Sequence, residues 1–127
     1  MFVPDVIGVV DGSHIMCKVR VEISNEYLNR KMRHSILLQG ICTRAKLFTD
    51  ISVGVPGRCH DARAFSLSSI GQEIATNGPL SLFYEDKYHI LGDTAYGNRT
   101  YCMVRYKKRA NQPAIEENFN LKHSKTR

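Results

Sequence analysis

The sequence predicts a mixed α/β domain, on three observations. Short apolar runs rich in β-branched residues recur at 6–10, 35–42, 46–55 and 88–91, which is the pattern of buried strands. A helix-like stretch from residue 62 to residue 74 separates the first three runs from the last. A strand reached through a helix can return parallel to the first strand and beside it, whereas strands joined by tight turns lie antiparallel. The expected order is three antiparallel strands, a helix, a parallel strand, a short strand and the start of a C-terminal helix.

The first run, 6–10, stops at Asp11-Gly12-Ser13-His14. Taken alone, Asp11-Gly12 is a two-residue hairpin turn into a weakly alternating strand at 15–21. Residues 24–33 are polar and basic and read as an exposed loop with a helical turn. The next strand, 35–42, is joined near 43–45 to the strand at 46–55, which Pro56-Gly57 breaks. Asp61 stands where a helix N-cap belongs. The helix carries Phe65, Ile70 and Ile74 at loose spacing, and Asn77-Gly78-Pro79 ends it. The run at 88–91 stops at Gly92-Asp93, and a Tyr96-Gly97 turn follows. Residues 100–104 form a short strand. Residues 116–121 open a last helix that continues to Arg127, with Glu116 and Glu117 solvated in its first turn, where they favour the helix dipole.

A chain of 127 residues is one domain. A hydrophobic share of 43% and a charged share of 24% are ordinary for a soluble globular protein. The net charge of +6 and pI near 9.3 point to a polyanionic partner, nucleic acid ahead of membrane. No apolar run approaches the roughly 20 residues of a membrane span, and no membrane partner is expected. The start of the chain lacks the basic stretch of a secretory leader. The cysteines, Cys17, Cys42, Cys59 and Cys102, show no C-x-x-C spacing, so they read as reduced, buried, small apolar residues of a nuclear or cytosolic protein rather than zinc ligands. Strand-like sequence begins within ten residues and a basic helix runs to Arg127, so the chain reads as a piece of a longer protein.

Asp11 and Asp93 each follow an apolar strand. Neighbouring parallel strands would bring both carboxylates to one sheet edge, where ligands of α/β sheets bind. Hard divalent cations, Mg²⁺ or Mn²⁺, take such oxygen donors, and two ions about 4 Å apart serve phosphodiester cleavage. Asp61 is a third metal ligand on this reading and a helix cap on the simpler one. His14 and His60 stand beside the acids, to bind phosphate or tune a carboxylate, although a lone histidine is more often structural. Tyr96 is placed to pack under Asp93 or to stack on a base, packing being the commoner role, and Asp50 is a ligand to nothing. Arg105, Lys107, Lys108 and Arg109, with Lys122, Lys125 and Arg127 of the tail, read as phosphate contacts to DNA, salt-sensitive and without sequence information.

These residues also resemble a known family. The ordered set Val-Asp-Gly-Ser-His-Ile (10–15), Asn-Arg-Lys (29–31), Ser-Ile-Leu-Leu-Gln-Gly-Ile-Cys (35–42), Val-Gly-Val-Pro-Gly-Arg-Cys-His-Asp-Ala-Arg-Ala-Phe (53–65), Leu-Gly-Asp-Thr-Ala-Tyr (91–96) and Phe-Asn-Leu-Lys-His-Ser-Lys-Thr-Arg (119–127) is similar to the Harbinger-type DDE transposases and the nucleases derived from them. The resemblance implies an RNase H-like fold and divalent-metal-dependent DNA cleavage and strand transfer. It places the first catalytic acid of D-G-x-H on Asp11 and the second, of G-D-x-x-Y, on Asp93. The His-Asp pair, a metal-site position, falls on Asp61. It also implies a separate Myb-like DNA-binding partner protein. The family's last acid, a glutamate, lies a few residues beyond Asn-x-x-His-Ser-x-x-Arg, which here is 120–127, and its N-terminal helical region has no counterpart. Residues 1–127 are therefore expected to be a partial DDE-type endonuclease domain. The alternatives are a domesticated, inactive nucleic-acid-binding or protein-interaction module on the same fold, and a structural α/β domain whose Asp-Gly turns merely hold hairpins.

Overall fold

A computed structural model describes residues 2–127. Five strands form one mixed sheet: β1 (Val6–Met16), β2 (Ser35–Cys42), β3 (Phe48–Pro56), β4 (His89–Leu91) and β5 (Cys102–Met103). Their spatial order is β3-β2-β1-β4-β5. The first three pair antiparallel, β4 runs parallel to β1, and β5 runs parallel to β4. This is the mixed α/β, RNase H-like arrangement that the sequence led us to expect.

β1 departs from the expected hairpin. Asp11 and Gly12 make no turn; they sit mid-strand, opposite Gly40 and Gln39 of β2. The reason is the length of β2. Its ladder with β1 is unbroken from Val9↔Cys42 to Met16↔Ser35, and a turn at Gly12 would strip partners from the β2 backbone. The expected strand at 15–21 is thus only the end of β1. A short 3-10 turn (Val21–Ile23) and a one-turn helix α1 (Ser24–Tyr27) follow it. β2 has the bounds read from sequence. β3 starts at Phe48 rather than Lys46, because Lys46 takes a left-handed φ of 62° in the connecting turn.

The single helix expected at 62–74 is two: α2 (Asp61–Leu67) and α3 (Ser69–Asn77). Ser68 is extended between them, and its Oγ accepts from Gly71 N at 3.1 Å. Any side chain at residue 71 would run into the Phe65 carbonyl, so glycine lets the two helices fold on each other. The break also explains the loose apolar spacing, since Phe65 belongs to one helix and Ile70 and Ile74 to the next. Asp61 is not the N-cap. His60 occupies that position without a side-chain cap bond, and Asp61 is the first helical residue.

The core lies between α2, α3 and one face of the sheet, where Val10, Ile41, Ile90 and Cys102 meet Phe65, Ile74, Phe83 and Tyr96. Tyr96 packs edge-on to Phe65 at 6.3 Å between ring centres. The last helix, α4 (Ala114–Thr126), begins two residues before the expected start, directly after Pro113. Buried His123 ties it to β5, its Nε2 3.1 Å from the Met103 carbonyl, and Thr126 Oγ1 accepts from Val3 N. Glu116 is not solvated as expected, because it pairs with Arg109 at 2.9 Å. All four cysteines are free. Only Cys102 is buried, and burial pushes its thiol up to about 11; Cys17, Cys42 and Cys59 are half-buried, against the expectation. No helix among the described residues is long and apolar enough to cross a membrane.

Candidate active site

The sheet register sets the level of the two strand acids. Val9 pairs with Leu91 in the parallel ladder, and Asp11 and Asp93 each stand two residues further on. Both acids therefore stand just beyond the last paired residues of two neighbouring parallel strands, whose backbones run about 4.8 Å apart where they pair. β4 ends at Leu91, whereas β1 continues to Met16. The parallel edge of β1 is thus uncovered beyond this level, and a cleft opens there. Asp11 lies within β1, not at its C-terminal end as the sequence reading had it.

Local bonds fix each acid. Asp93 Oδ1 accepts from Ala95 N at 2.8 Å and caps the 3-10 turn Thr94–Tyr96. Asp11 Oδ1 accepts from Gly12 N, and its Oδ2 receives Arg127 Nη2 at 3.2 Å. By the two-residue alternation of a strand, Asp11 faces away from Val10 and Gly12, toward α4. Asp61 lies on the opposite face, against Gly12, where a Cβ would stand 2.8 Å from Asp61 Oδ1. Burial raises the Asp61 carboxyl above its ordinary value, followed by repulsion from Asp93 and from Asp11; His14 and Arg30 oppose the rise. Tyr96 is raised by burial and then by the charges of Asp61, Asp11 and Asp93.

The cleft, about 920 Å³, is walled by Gly12–His14, by 29–31, by 57–61 and by 93–95. His14 lines it, with Nδ1 2.8 Å from Ser35 Oγ. His60 lines it too, its Nδ1 facing Arg30 Nη2 at 3.4 Å. The sequence reading missed Arg30, Lys31 and Arg58 on the far wall. Only their charge was visible there, because two loops distant in sequence build that wall.

The donors are of the right kind for a hard divalent cation, which takes one or two carboxylates alongside water and phosphate. Asp11 and Asp93 supply such a pair. Among the described residues, however, no group of three or more His, Cys, Asp or Glu side chains converges on a metal position. Asp61 is near the pair without completing a closed ligand set.

The basic residues divide. Arg105, Lys107, Lys108 and Arg109 line a groove of about 780 Å³ along α4. Tyr106 is pinned there by two bonds to the Asn120 side chain. Arg109 is engaged by Glu116, and Arg105 Nη1 donates to Ser124 Oγ at 3.4 Å. Lys122 and Lys125 lie off this groove, and Arg127 is on Asp11 rather than on an open surface.

Fold and site together define an RNase H-like α/β domain whose acids cluster where a parallel strand pair ends. A family model described as DDE superfamily endonuclease matches residues 10–127. The chain belongs to that family. It is similar to the putative nuclease HARBI1 of Bos taurus, 26% identical over 124 residues, covering 98% of this chain and 33% of that protein. The Homo sapiens protein of the same name is 26% identical over 123 residues, with 97% and 33% covered. That of Mus musculus is 27% identical over the same length and coverage. The chain spans about a third of the length of these curated relatives. No solved structure matches it significantly.

Proposed function

We propose that this chain is the acid-bearing part of a divalent-metal-dependent DNA endonuclease derived from a Harbinger-type transposase, cleaving phosphodiester bonds by a two-metal mechanism. The observation that carries the reading is that Asp11 and Asp93 each stand two residues beyond Val9 and Leu91, the last pair of two adjacent parallel strands. Membership of the endonuclease family and the nuclease names of the relatives support it. Asp11 and Asp93 are the catalytic acids and hold Mg²⁺ or Mn²⁺, with Asp61 as the third metal-site carboxylate. The cation supplies Lewis-acid charge at the scissile phosphate. His14 and His60 flank the acids, and the groove of Lys107 and Lys108 carries the DNA backbone. Lys122 and Lys125 reach outlying phosphates, as does Arg127 once it leaves Asp11. The setting is the nucleus, with a Myb-like protein supplying target recognition.

The test is nicking of a supercoiled plasmid by the protein with Mn²⁺, Mg²⁺ or EDTA. The expected result is metal-dependent nicking that Asp11→Asn and Asp93→Asn each abolish. Nicking that survives both substitutions, or persists in EDTA, removes the proposal. A second reading, a catalytically silent DNA-binding module, is favoured by the Arg127 guanidinium on Asp11 and by the absence of a three-ligand set among the described residues. It requires DNA binding without Mn²⁺ binding.

A further inference from the structure

We infer that Arg30, Lys31 and Arg58 form a second phosphate-binding wall, which holds the DNA backbone on the side of the cleft facing Asp61 and Asp93. The inference rests on the nuclease reading only for which polyanion enters the cleft.

The three cations line the same cleft as Asp61 and Asp93. All are exposed, and none pairs with a carboxylate; the ion pairs among the described residues are Lys87–Glu85, Arg109–Glu116 and Arg127–Asp11. The loops that carry them are held firmly. Buried Asn29 accepts from Lys31 N at 2.9 Å and from Arg33 N at 3.2 Å, and its Nδ2 donates to Ser35 Oγ at 3.0 Å. Met32 takes a left-handed φ of 60°, which closes the loop back toward β2. On the neighbouring loop, Gly57 N donates to the Ser35 carbonyl at 2.8 Å and Arg58 N to the Glu26 carbonyl at 3.2 Å. Ser35, fully buried, is thus the common anchor of both loops.

A buried Asn–Ser hub presents three unpaired cations across an open cleft from an acid cluster. That arrangement brings like charges together and adds nothing to the core. It suits a ligand that needs positive charge on one side and a carboxylate-held cation on the other, which describes a phosphodiester strand. Ordering the wall beforehand lowers the cost of binding such a strand. Thr94 lines both this cleft and the groove of Lys107 and Lys108, so a backbone leaving the cleft enters the groove directly.

The experiment is equilibrium binding of a fluorescent DNA duplex to the protein in EDTA, titrated with salt. The slope of log affinity against log salt counts phosphates neutralised, at about 0.9 for each. Arg30→Gln/Arg58→Gln is expected to flatten the slope by about 1.8, and each single variant by about half of that. The charge-matched control is Arg44→Gln/Lys46→Gln, in the turn at the far end of the β2–β3 hairpin, and it should leave the slope nearly unchanged. An unchanged slope in the folded cleft variants overturns the inference, as does an equal loss in the control. Because EDTA stops cleavage, the two readings fail separately. A flattened slope in a protein that never nicks DNA sinks the nuclease and keeps the wall. Nicking with an unaffected slope does the reverse.

Discussion

Gly12 is where the sheet backbone and the acid cleft come closest, and alanine there should separate stability from chemistry. A Cβ at this position lies 2.8 Å from Asp61 Oδ1 and 3.5 Å from Leu37 Cδ1. The second contact is ordinary, whereas the first obliges the carboxylate to retreat by about 0.6 Å to reach normal van der Waals separation. Gly12 sits in a regular strand, and its φ is not left-handed, so alanine brings no backbone strain. Loss of glycine freedom in the unfolded chain favours the variant by about 0.4–1 kcal/mol. Overpacking against Asp61 opposes this by about 1–3 kcal/mol, toward the low end because that side chain opens onto the cleft. The net loss is expected to be about 0.5 kcal/mol, a fall in Tm of about 2 °C for a domain of this size.

The effect on function should be much larger. A misplacement of about 1 Å at a reacting group can cost about a hundredfold, so a shift of about 0.6 Å predicts a loss of about tenfold or more in plasmid nicking. Mn²⁺ affinity by calorimetry should fall with it. Gly40→Ala is the control. Its Cβ meets Phe48 Cε1 at 2.7 Å, but Phe48 is 60% exposed and its ring can swing into solvent. Gly40→Ala should therefore nick DNA at the wild-type rate. Wild-type nicking by a folded Gly12→Ala protein would show that the position of Asp61 does not matter to the chemistry. An equal loss in Gly40→Ala, which stands across the ladder from Asp11, would trace the effect to the β1–β2 pairing rather than to Asp61.

Three further substitutions read the same site. The folded Asp61 carboxyl lies above its unfolded value of 3.8, mainly through burial and then through Asp93 and Asp11, so its contribution to stability is present below that pH and lost as pH rises through the folded value. Metal-free Asp61→Asn should therefore melt above wild type near pH 7.5, with the advantage gone near pH 3.5; an equal gain at both pH values would refute the charge argument. Arg127→Ala removes an exposed ion pair, its Asp11 side chain 59% accessible, so Tm should fall by no more than about 3 °C while Mn²⁺ affinity rises; weaker Mn²⁺ binding would show that the arginine does not compete with a cation. The proton affinity of His123 is lowered below its ordinary 6.5, chiefly by burial, so the stability it contributes is present above that value and lost as pH falls through the folded one. Melting curves should show wild type losing stability as pH falls below about 6.5, and His123→Leu, less stable at neutral pH, staying flatter over the same range.

Much of the fold was legible because it follows from local pattern. β2 is a continuous apolar run that stops at a turn, and its bounds were read directly. The parallel pairing of β4 with β1 followed from a helix standing between them, and that placed Asp11 beside Asp93. What local pattern misread was decided by partners distant in sequence. Asp-Gly prefers a turn, but eight paired β2 residues hold β1 straight through it. The helix break at Ser68 depends on the backbones of Phe65 and Gly71 meeting, which apolar spacing does not report. The basic wall of the cleft depends on Ser35 tying together two loops that are 25 residues apart or more, and composition alone cannot anticipate such a join.

The strongest physical indication that this region works on something is where the chain tolerates unfavourable arrangements. The Asp61 carboxyl is half-buried and repelled by two other acids. The Tyr96 hydroxyl and both amide atoms of Gln39 are buried without a partner in the protein, as are one ring nitrogen each of His89 and His123, and Gln39 stands directly across the ladder from Gly12. Each such group costs free energy that an apolar side chain of similar shape would not. Asp61, Tyr96 and Gln39 lie about the point where β4 ends and β1 runs on, beside Asp11 and Asp93. A chain shaped only for stability would fill this gap with apolar contacts. The polar groups make sense if a bound cation, its water and a phosphate supply the missing partners, because a cation lowers the repulsion among the acids and ordered water pairs the buried amide and hydroxyl. On this argument the unfavourable terms are the ones that a bound cation and phosphate would relieve together.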